Sequence, residues 1–251
     1  MWVSENEKVN LVLDIGNSSV KAGIFEKDQL LETFRKASLD DRDIVDLKTR
    51  YPLSGLMVCS VRNSSVPQKD KLQQHFDHYL ELSGNTPLPI RNLYETPDTQ
   101  GKDRIAAVVG GQALHPDRNL LIIDAGTAIT FDFLSKEGNY LGGNISPGLS
   151  MRFRVLHEAT HNLPLVGPGQ KTGLLGTNTT DAIAAGVQNG ILFEMNHYIE
   201  NLKHQYGDLT TILTGGDSNF FDNKLKYPIF VESNLVLIGL NKILKYNIYA
   251  K

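Results

Sequence analysis

Cysteine is almost missing from this chain: Cys59 is the single one in 251 residues. No internal disulfide can form, which points to a reducing, cytoplasmic compartment. A surplus of positive charge is missing too. Lys and Arg number 25 against 28 Asp and Glu, a net charge of −3, so the electrostatic footprint of a nucleic-acid binder is absent. No apolar run approaches the roughly 18 residues of a membrane span, and the opening MWVSENEKVN lacks the apolar core of a signal peptide. No glycine-rich turn ends in Gly-Lys-Ser/Thr, which excludes a Walker A phosphate loop. The seven histidines show no metal-ligand spacing; His157 and His161 are four apart, without a third ligand to complete a zinc site.

What is present is an internal echo. Residues 11–25 read LVLDIGNSSVKAGIF and residues 121–134 read LIIDAGTAITFDFL. Each is a branched apolar run, then Asp, a spacer, Gly, a polar pair and a second apolar run, which predicts a strand, a tight turn and a returning strand. Two copies about 110 residues apart predict two halves built on one plan. Helical spacing predicts helices over 66–81 (Leu72, Phe76, Tyr79 and Leu80 on one side), 103–115, 179–206 and 234–246, the third stopped by Gly207. GLMVCSV, TTILTG and YPIFVE read as strands, and Cys59 within the first as a buried strand residue rather than a nucleophile. Mixed strands and helices in each half give an α/β class. The loop at His115-Pro116-Asp117 sets the expected boundary, with domains 1–117 and 118–251.

Three loops suggest a nucleotide. In Asp14-Ile15-Gly16-Asn17-Ser18, Gly16 permits a tight turn whose exposed amides make an anion nest. Asp14 would repel a bare phosphate, so its natural role is to hold Mg²⁺ through water. Lys21 is close in sequence, although alternation alone does not establish that it faces the loop. Asp124-Ala125-Gly126-Thr127 offers the same parts with an added hydroxyl. In Thr214-Gly215-Gly216-Asp217, two glycines after a strand let a flat ligand lie against the backbone. A single Asp-x-Gly turn is usually only a hairpin; three such loops in a duplicated frame point to phosphate.

These residues carry a resemblance. LVLDIGNSSVK resembles the first phosphate loop, IIDAGTAITFD the second and LTGGD the adenosine loop of the acetate and sugar kinase, Hsp70 and actin superfamily. That implies two actin-like (ribonuclease H-like) domains related by internal duplication. Within the superfamily the chain is similar to type III pantothenate kinases. Tyr94 followed by Gly101-Lys102-Asp103-Arg104 resembles their substrate segment, Gly142-Gly143-Asn144-Ile145-Ser146-Pro147-Gly148 their glycine-proline loop, and the stretch from Gly176 through Thr179 to Ile183 their Gly-x-x-Thr-x-x-Ala-Ile element. One departure is Ser18, where the family commonly has threonine; the hydroxyl is kept.

The resemblance implies transfer of the γ-phosphate of ATP to the primary hydroxyl of pantothenate, the first step toward coenzyme A. It assigns Asp14, Ile15, Gly16, Asn17, Ser18, Ser19, Val20 and Lys21, with Thr127, Gly215 and Gly216, to ATP. It assigns Tyr94, Gly101, Lys102, Asp103, Arg104 and Thr179 to pantothenate, with Asp103 as general base. Asp124 matches a site for a monovalent cation, potassium or ammonium, and Mg²⁺ accompanies ATP at Asp14. A homodimer is implied, with Ile191, Met195 and Tyr198 as candidate contacts; no nucleic-acid or membrane partner is expected. By position alone Asp103 reads as an ordinary helix N-cap, as does Thr179. Arg104 suits a substrate carboxylate through two parallel hydrogen bonds, or a surface ion pair. Competing readings are a sugar or carboxylic-acid kinase of the same superfamily and a non-catalytic regulator that keeps the nucleotide fold. A filament or chaperone ATPase needs extra subdomains for which 251 residues leave no room.

Overall fold

Branched apolar runs on either side of an Asp-x-Gly turn fold back on themselves, and both copies do so. A computed structural model describes residues 8–16, 19–60, 69–169 and 172–249. The N-terminal extension to residue 7, and Asn17 and Ser18 of the first loop, lie outside them. The chain forms two compact units: residues 1–116 with 234–251, and residues 117–233.

The first unit contains β1 (Val9–Ile15), β2 (Val20–Glu26), β3 (Gln29–Lys36), α1 (Asp41–Arg50), β4 (Leu53–Ser60), α2 (Lys69–Gln74), β5 (His78–Glu81), β6 (Arg91–Asn92) and α3 (Lys102–Leu114). Its sheet runs β3-β2-β1-β4-β5; β3, β2 and β1 are antiparallel, and β4 and β5 continue in parallel. Alternation sends Leu11, Leu13, Ile15, Val20, Ala22 and Ile24 to one face, where Ile44 and Leu47 of α1 and Leu72 of α2 complete the core. A reciprocal capping box between Asp40 and Asp43 starts α1, worth about 1 kcal/mol.

The opposite face takes α3 and the last helix of the chain, which belongs to this unit. Buried Asn10 on β1 donates to Asn241 (2.9 Å), whose own amide donates to the carbonyl of Lys27. The two helices cross in near-contact. A Cβ on Gly239 would lie 1.7 Å from the carbonyl oxygen of Ala106, and one on Gly110 would lie 2.2 Å from that of Leu235. The helix expected over 66–81 is split: α2 stops at Gln74, and Tyr79 and Leu80 belong to β5, paired with Leu56 and Met57 of β4.

The second unit contains β7 (Asn119–Ala125), β8 (Ala128–Leu134), β9 (Asn139–Pro147), α4 (Leu149–Glu158), α5 (Thr179–Tyr206), β10 (Leu209–Thr214), α6 (Ser218–Phe221) and β11 (Phe230–Val231), and α7 (Leu235–Tyr249) is the helix returned to the first unit. Five strands of its sheet run β9-β8-β7-β10-β11, three antiparallel and then two parallel. That is the plan of the first unit repeated. The expected helix over 179–206 has those ends, and Gly207 closes it at φ +80°. The segment read as a glycine-proline loop is instead most of β9, held by its register with β8, and YPIFVE contributes only Phe230–Val231 as strand. Ile191 and Met195 are fully buried in the core under α5, and the Tyr198 ring lies 4.3 Å from that of Phe131. Ile191 and Met195 face inward and are not available to a second copy of the chain, while Tyr198 is only partly buried. Among the described residues no helix is long and apolar enough to cross a membrane.

Candidate active site

In the first unit the register places Asp14 opposite Lys21 on β2 and Cys59 on β4, and Lys21 opposite Arg35 on β3. Directly opposed residues share a face. Cys59, Asp14, Lys21 and Arg35 therefore form one row across the sheet, on the face that carries α3 and α7. Lys21 does face the side of Asp14, which strand alternation had left open. Burial first, and then the nearby Asp103 carboxylate, push the Asp14 carboxyl up to about 6, against the pull of Lys21 and Arg35. Cys59 is fully buried and its thiol is pushed well up by burial, then by Asp14 and Asp103, which removes it as a nucleophile.

Asp103 reaches this row from the first turn of α3. The N-cap is Gly101, with no side-chain cap; Asp103 sits two residues on and accepts from the amide of Arg104 (2.9 Å). The capping role that position suggested thus falls away. A Cβ at Gly101 would lie 2.6 Å from Asp103 Oδ1, so glycine there leaves the carboxylate its space. Arg104 is buried, 5% exposed, with its guanidinium carbon 5.7 Å from the centre of the Tyr94 ring. The segment joins a carboxylate, a buried cation and an aromatic ring.

The first loop is less open to phosphate than its sequence suggests. The Gly16 amide already donates to the carbonyl of Ser19 (3.0 Å), and Ile15 and Val20 are buried in the core, so only their main-chain groups can serve a ligand.

In the second unit Asp124 has Thr130 opposite it on β8 and Thr214 on β10. The glycine that this loop requires is Gly215: at φ +94°, its absent Cβ would lie 2.5 Å from Asp124 Oδ1 and 2.4 Å from the carbonyl oxygen of Ala125. The Asp217 amide donates to that same carbonyl (2.8 Å), locking the third loop onto the second. Gly216 is exposed, with nothing within 4 Å of its absent Cβ, the open surface a flat ring needs. Thr127 is exposed, and its carbonyl accepts from Gly148, where a Cβ would lie 2.3 Å away.

Asn178, not Thr179, caps α5: its Oδ1 accepts from the amide of Asp181 (2.9 Å). Thr179 is exposed in the first turn and lines a cavity of about 860 Å³ with Thr177, Asn178, Met151, Val155 and Ile183. Sequence reasoning passed over Gln100. It is buried, and its Nε2 has no partner among the described residues, while its Oε1 accepts from Asn92 (2.8 Å). Its place next to Gly101 was the available signal.

No group of three or more His, Cys, Asp and Glu gathers as a metal cage among the described residues. The Asp14–Asp103 pair fits the other way Mg²⁺ is held, through one or two carboxylates together with substrate phosphates and water.

A twice-used sheet plan, each copy opened by an Asp-x-Gly hairpin, defines an actin-like two-domain α/β fold. A solved Campylobacter jejuni protein, described as a conserved putative Baf family transcriptional activator, shares it at TM-score 0.61 and 24% identity, over 94% of this chain and 98% of that one. An Arthrobacter inorganic polyphosphate/ATP-glucomannokinase shares it at TM-score 0.52 and 16% identity, over 96% and 99%. The family model of type III pantothenate kinase matches residues 10–201. Type III pantothenate kinases of Phocaeicola vulgatus and Bacteroides fragilis are 46% and 42% identical, over 95% of this chain and 99% and 98% of theirs. The chain belongs to the type III pantothenate kinase family. It is a kinase, of a family that implies ATP with a divalent metal.

Proposed function

We propose that the chain transfers the γ-phosphoryl group of ATP to the primary hydroxyl of pantothenate, forming 4'-phosphopantothenate, the first step of coenzyme A synthesis. The observation that carries this reading is the meeting of Asp14 and Asp103 beside the Arg104–Tyr94 pair. Phosphoryl transfer asks a protein mainly for positioning and charge stabilisation. Arg104 binds the pantothenate carboxylate by two parallel hydrogen bonds, and Tyr94, Gly101, Lys102 and Thr179 align the rest of the substrate. Asp103 accepts the hydroxyl proton as the oxygen attacks phosphorus; the bond to the bridging oxygen breaks and its electron pair leaves with ADP. Asp14 would hold Mg²⁺ through water, and the ion would supply positive charge to offset that of the phosphate oxygens. Lys21 and the main chain of residues 14–20 are assigned to phosphate, and Thr127, Gly215 and Gly216 to the nucleotide. Asp124 would hold a potassium or ammonium ion, and the absence of a Cβ at Gly215 leaves its carboxylate the room to do so.

The same proposal includes a cytoplasmic location, a division by duplication at residues 117 and 118, and a homodimer. The repeated strand plan supports the duplication, although α7 packs with the first unit. For the dimer, the exposed Val155, Leu174, Leu175 and Phe193 replace the residues found in the core. A coupled assay of ADP release with and without pantothenate tests the function. Turnover of glucose equal to that of pantothenate, or none of pantothenate at any nucleotide concentration, removes it. Light scattering at micromolar concentration tests the dimer, and a monomer there refutes it.

A further inference from the structure

We infer that Arg35 is a further nucleotide-binding residue, its guanidinium meeting the terminal phosphates of ATP beside Lys21. The inference rests on the reading of the first hairpin as a phosphate loop. Register supplies the geometry: Arg35 opposes Lys21, which opposes Asp14, so Arg35 lies two strand spacings of about 4.8 Å each from Asp14. It is also at the correct end of the sheet, since its neighbour Lys36 pairs with Val20, where the chain leaves the loop.

Two neighbouring cations are already committed. Lys36 is paired with Asp43, and Arg50 with Glu32 (3.0 Å). Arg35 is exposed and has no hydrogen-bond or ion-pair partner among the described residues. The charge arithmetic asks for it. Asp14 and Asp103 bring negative charge to the place where a triphosphate must bind, and Lys21 is the only other cation in the row. A guanidinium offers phosphate a paired fork of donors that an ammonium lacks. The fold itself does not call for a cation there. In the second unit the corresponding row reads Thr214, Asp124, Thr130 and Ile145, and Ile145 is 66% exposed.

The test compares Arg35→Gln, Arg35→Lys, Lys21→Gln and Lys36→Gln in the full-length protein. Calorimetry gives the ATP Kd without pantothenate, and steady-state assays give both KM values. Arg35→Gln is expected to raise the Kd and KM for ATP about tenfold or more, the worth of a charge-assisted pair, while KM for pantothenate stays within about twofold of wild type. Lys36→Gln should match wild type. An Arg35→Gln enzyme with wild-type ATP affinity overturns the inference, and so does an effect confined to pantothenate. If Lys21→Gln alone weakens ATP, the phosphate-loop reading survives and only the role of Arg35 falls. If neither variant weakens it, both fall. Should Arg35→Gln not fold, Arg35→Lys decides: loss of ATP affinity supports the inference, and unchanged affinity overturns it.

Discussion

The two hairpins have the same skeleton and different electrostatics. In each, an Asp near the end of the central strand is flanked by one residue on the parallel neighbour and one on the antiparallel neighbour. Around Asp14 these are Cys59 and Lys21; around Asp124 they are Thr214 and Thr130. Asp14 also feels Asp103, and its carboxyl is raised to about 6. Asp124 sits instead against a glycine loop, where Gly215 keeps its space. A duplicated backbone has therefore been divided by chemistry. The first copy gathers several charges able to manage a reacting phosphate, and the second sets its Asp among threonines and glycines suited to holding a ligand still.

The largest effect that would break this contrast is at Asp103. Gly101 occupies the cap, and Asp103→Asn removes a proton acceptor while keeping an oxygen for the Arg104 amide. We expect kcat to fall by roughly 10²–10⁴-fold, with ATP binding and thermal unfolding near wild type. A folded, fully active variant would return the chemistry to some other group.

The pH response sharpens the contrast further. An Asp14 carboxyl raised to about 6 must ionise to serve the metal, so kcat/KM for MgATP should fall about tenfold per pH unit below that value. In the unliganded protein the sign reverses. The folded chain keeps a proton that the unfolded chain releases near 4, so stability should decline as pH rises from about 4 to 6, by about 3 kcal/mol. Denaturant titrations across that interval check it, and Asp14→Asn should flatten the curve. A profile that Asp14→Asn leaves unchanged would assign the effect elsewhere.

At Asp124 we expect a smaller change. Adding potassium or ammonium to enzyme in sodium buffer should raise its activity several-fold, and Asp124→Asn should abolish that response. The same response in wild type and variant would detach the cation from this hairpin.

The smallest effects concern stability. Gly239→Ala drives a methyl into the carbonyl of Ala106 and should cost about 1–3 kcal/mol. Gly186→Ala on α5, where a Cβ meets nothing within 4 Å, should gain about 0.5–1 kcal/mol. Unfolding midpoints of the two variants that shift together would contradict the tight crossing.

Both hairpins and α5 were legible because their signals are local: branched runs around Asp-x-Gly, and apolar residues at helical spacing from Ile183 to Leu202. The split of 66–81 was not. His78 to Glu81 is a short, half-buried strand, and Tyr79 and Leu80 continue the spacing of Leu72 and Phe76, so a period of 3.6 runs straight through the break. β9 was hidden by its composition, since two glycines and a proline read as a loop while only pairing with β8 makes them a strand. At the site, Asp14 and Asp103 could be read from motifs. The row through Cys59, Lys21 and Arg35 could not, because it depends on the register of four strands. The full burial of Ile191 and Met195 was equally invisible, since periodicity shows that a helix has an apolar face but not what covers it.

The placement of α7 bears on how the protein is made. β1 leaves the ribosome well before α7, yet Asn10 waits for Asn241, and Ala106 and Gly110 wait for Gly239. While residues 117–233 are synthesised, the second unit has all its own strands in one stretch of chain and is free to close first. The first unit meanwhile carries an uncovered sheet face and a half-docked α3. This connectivity favours an assembly order opposite to the usual N-terminal domain first, with the packing around α3, which carries Asp103, completed only after α7 has been made.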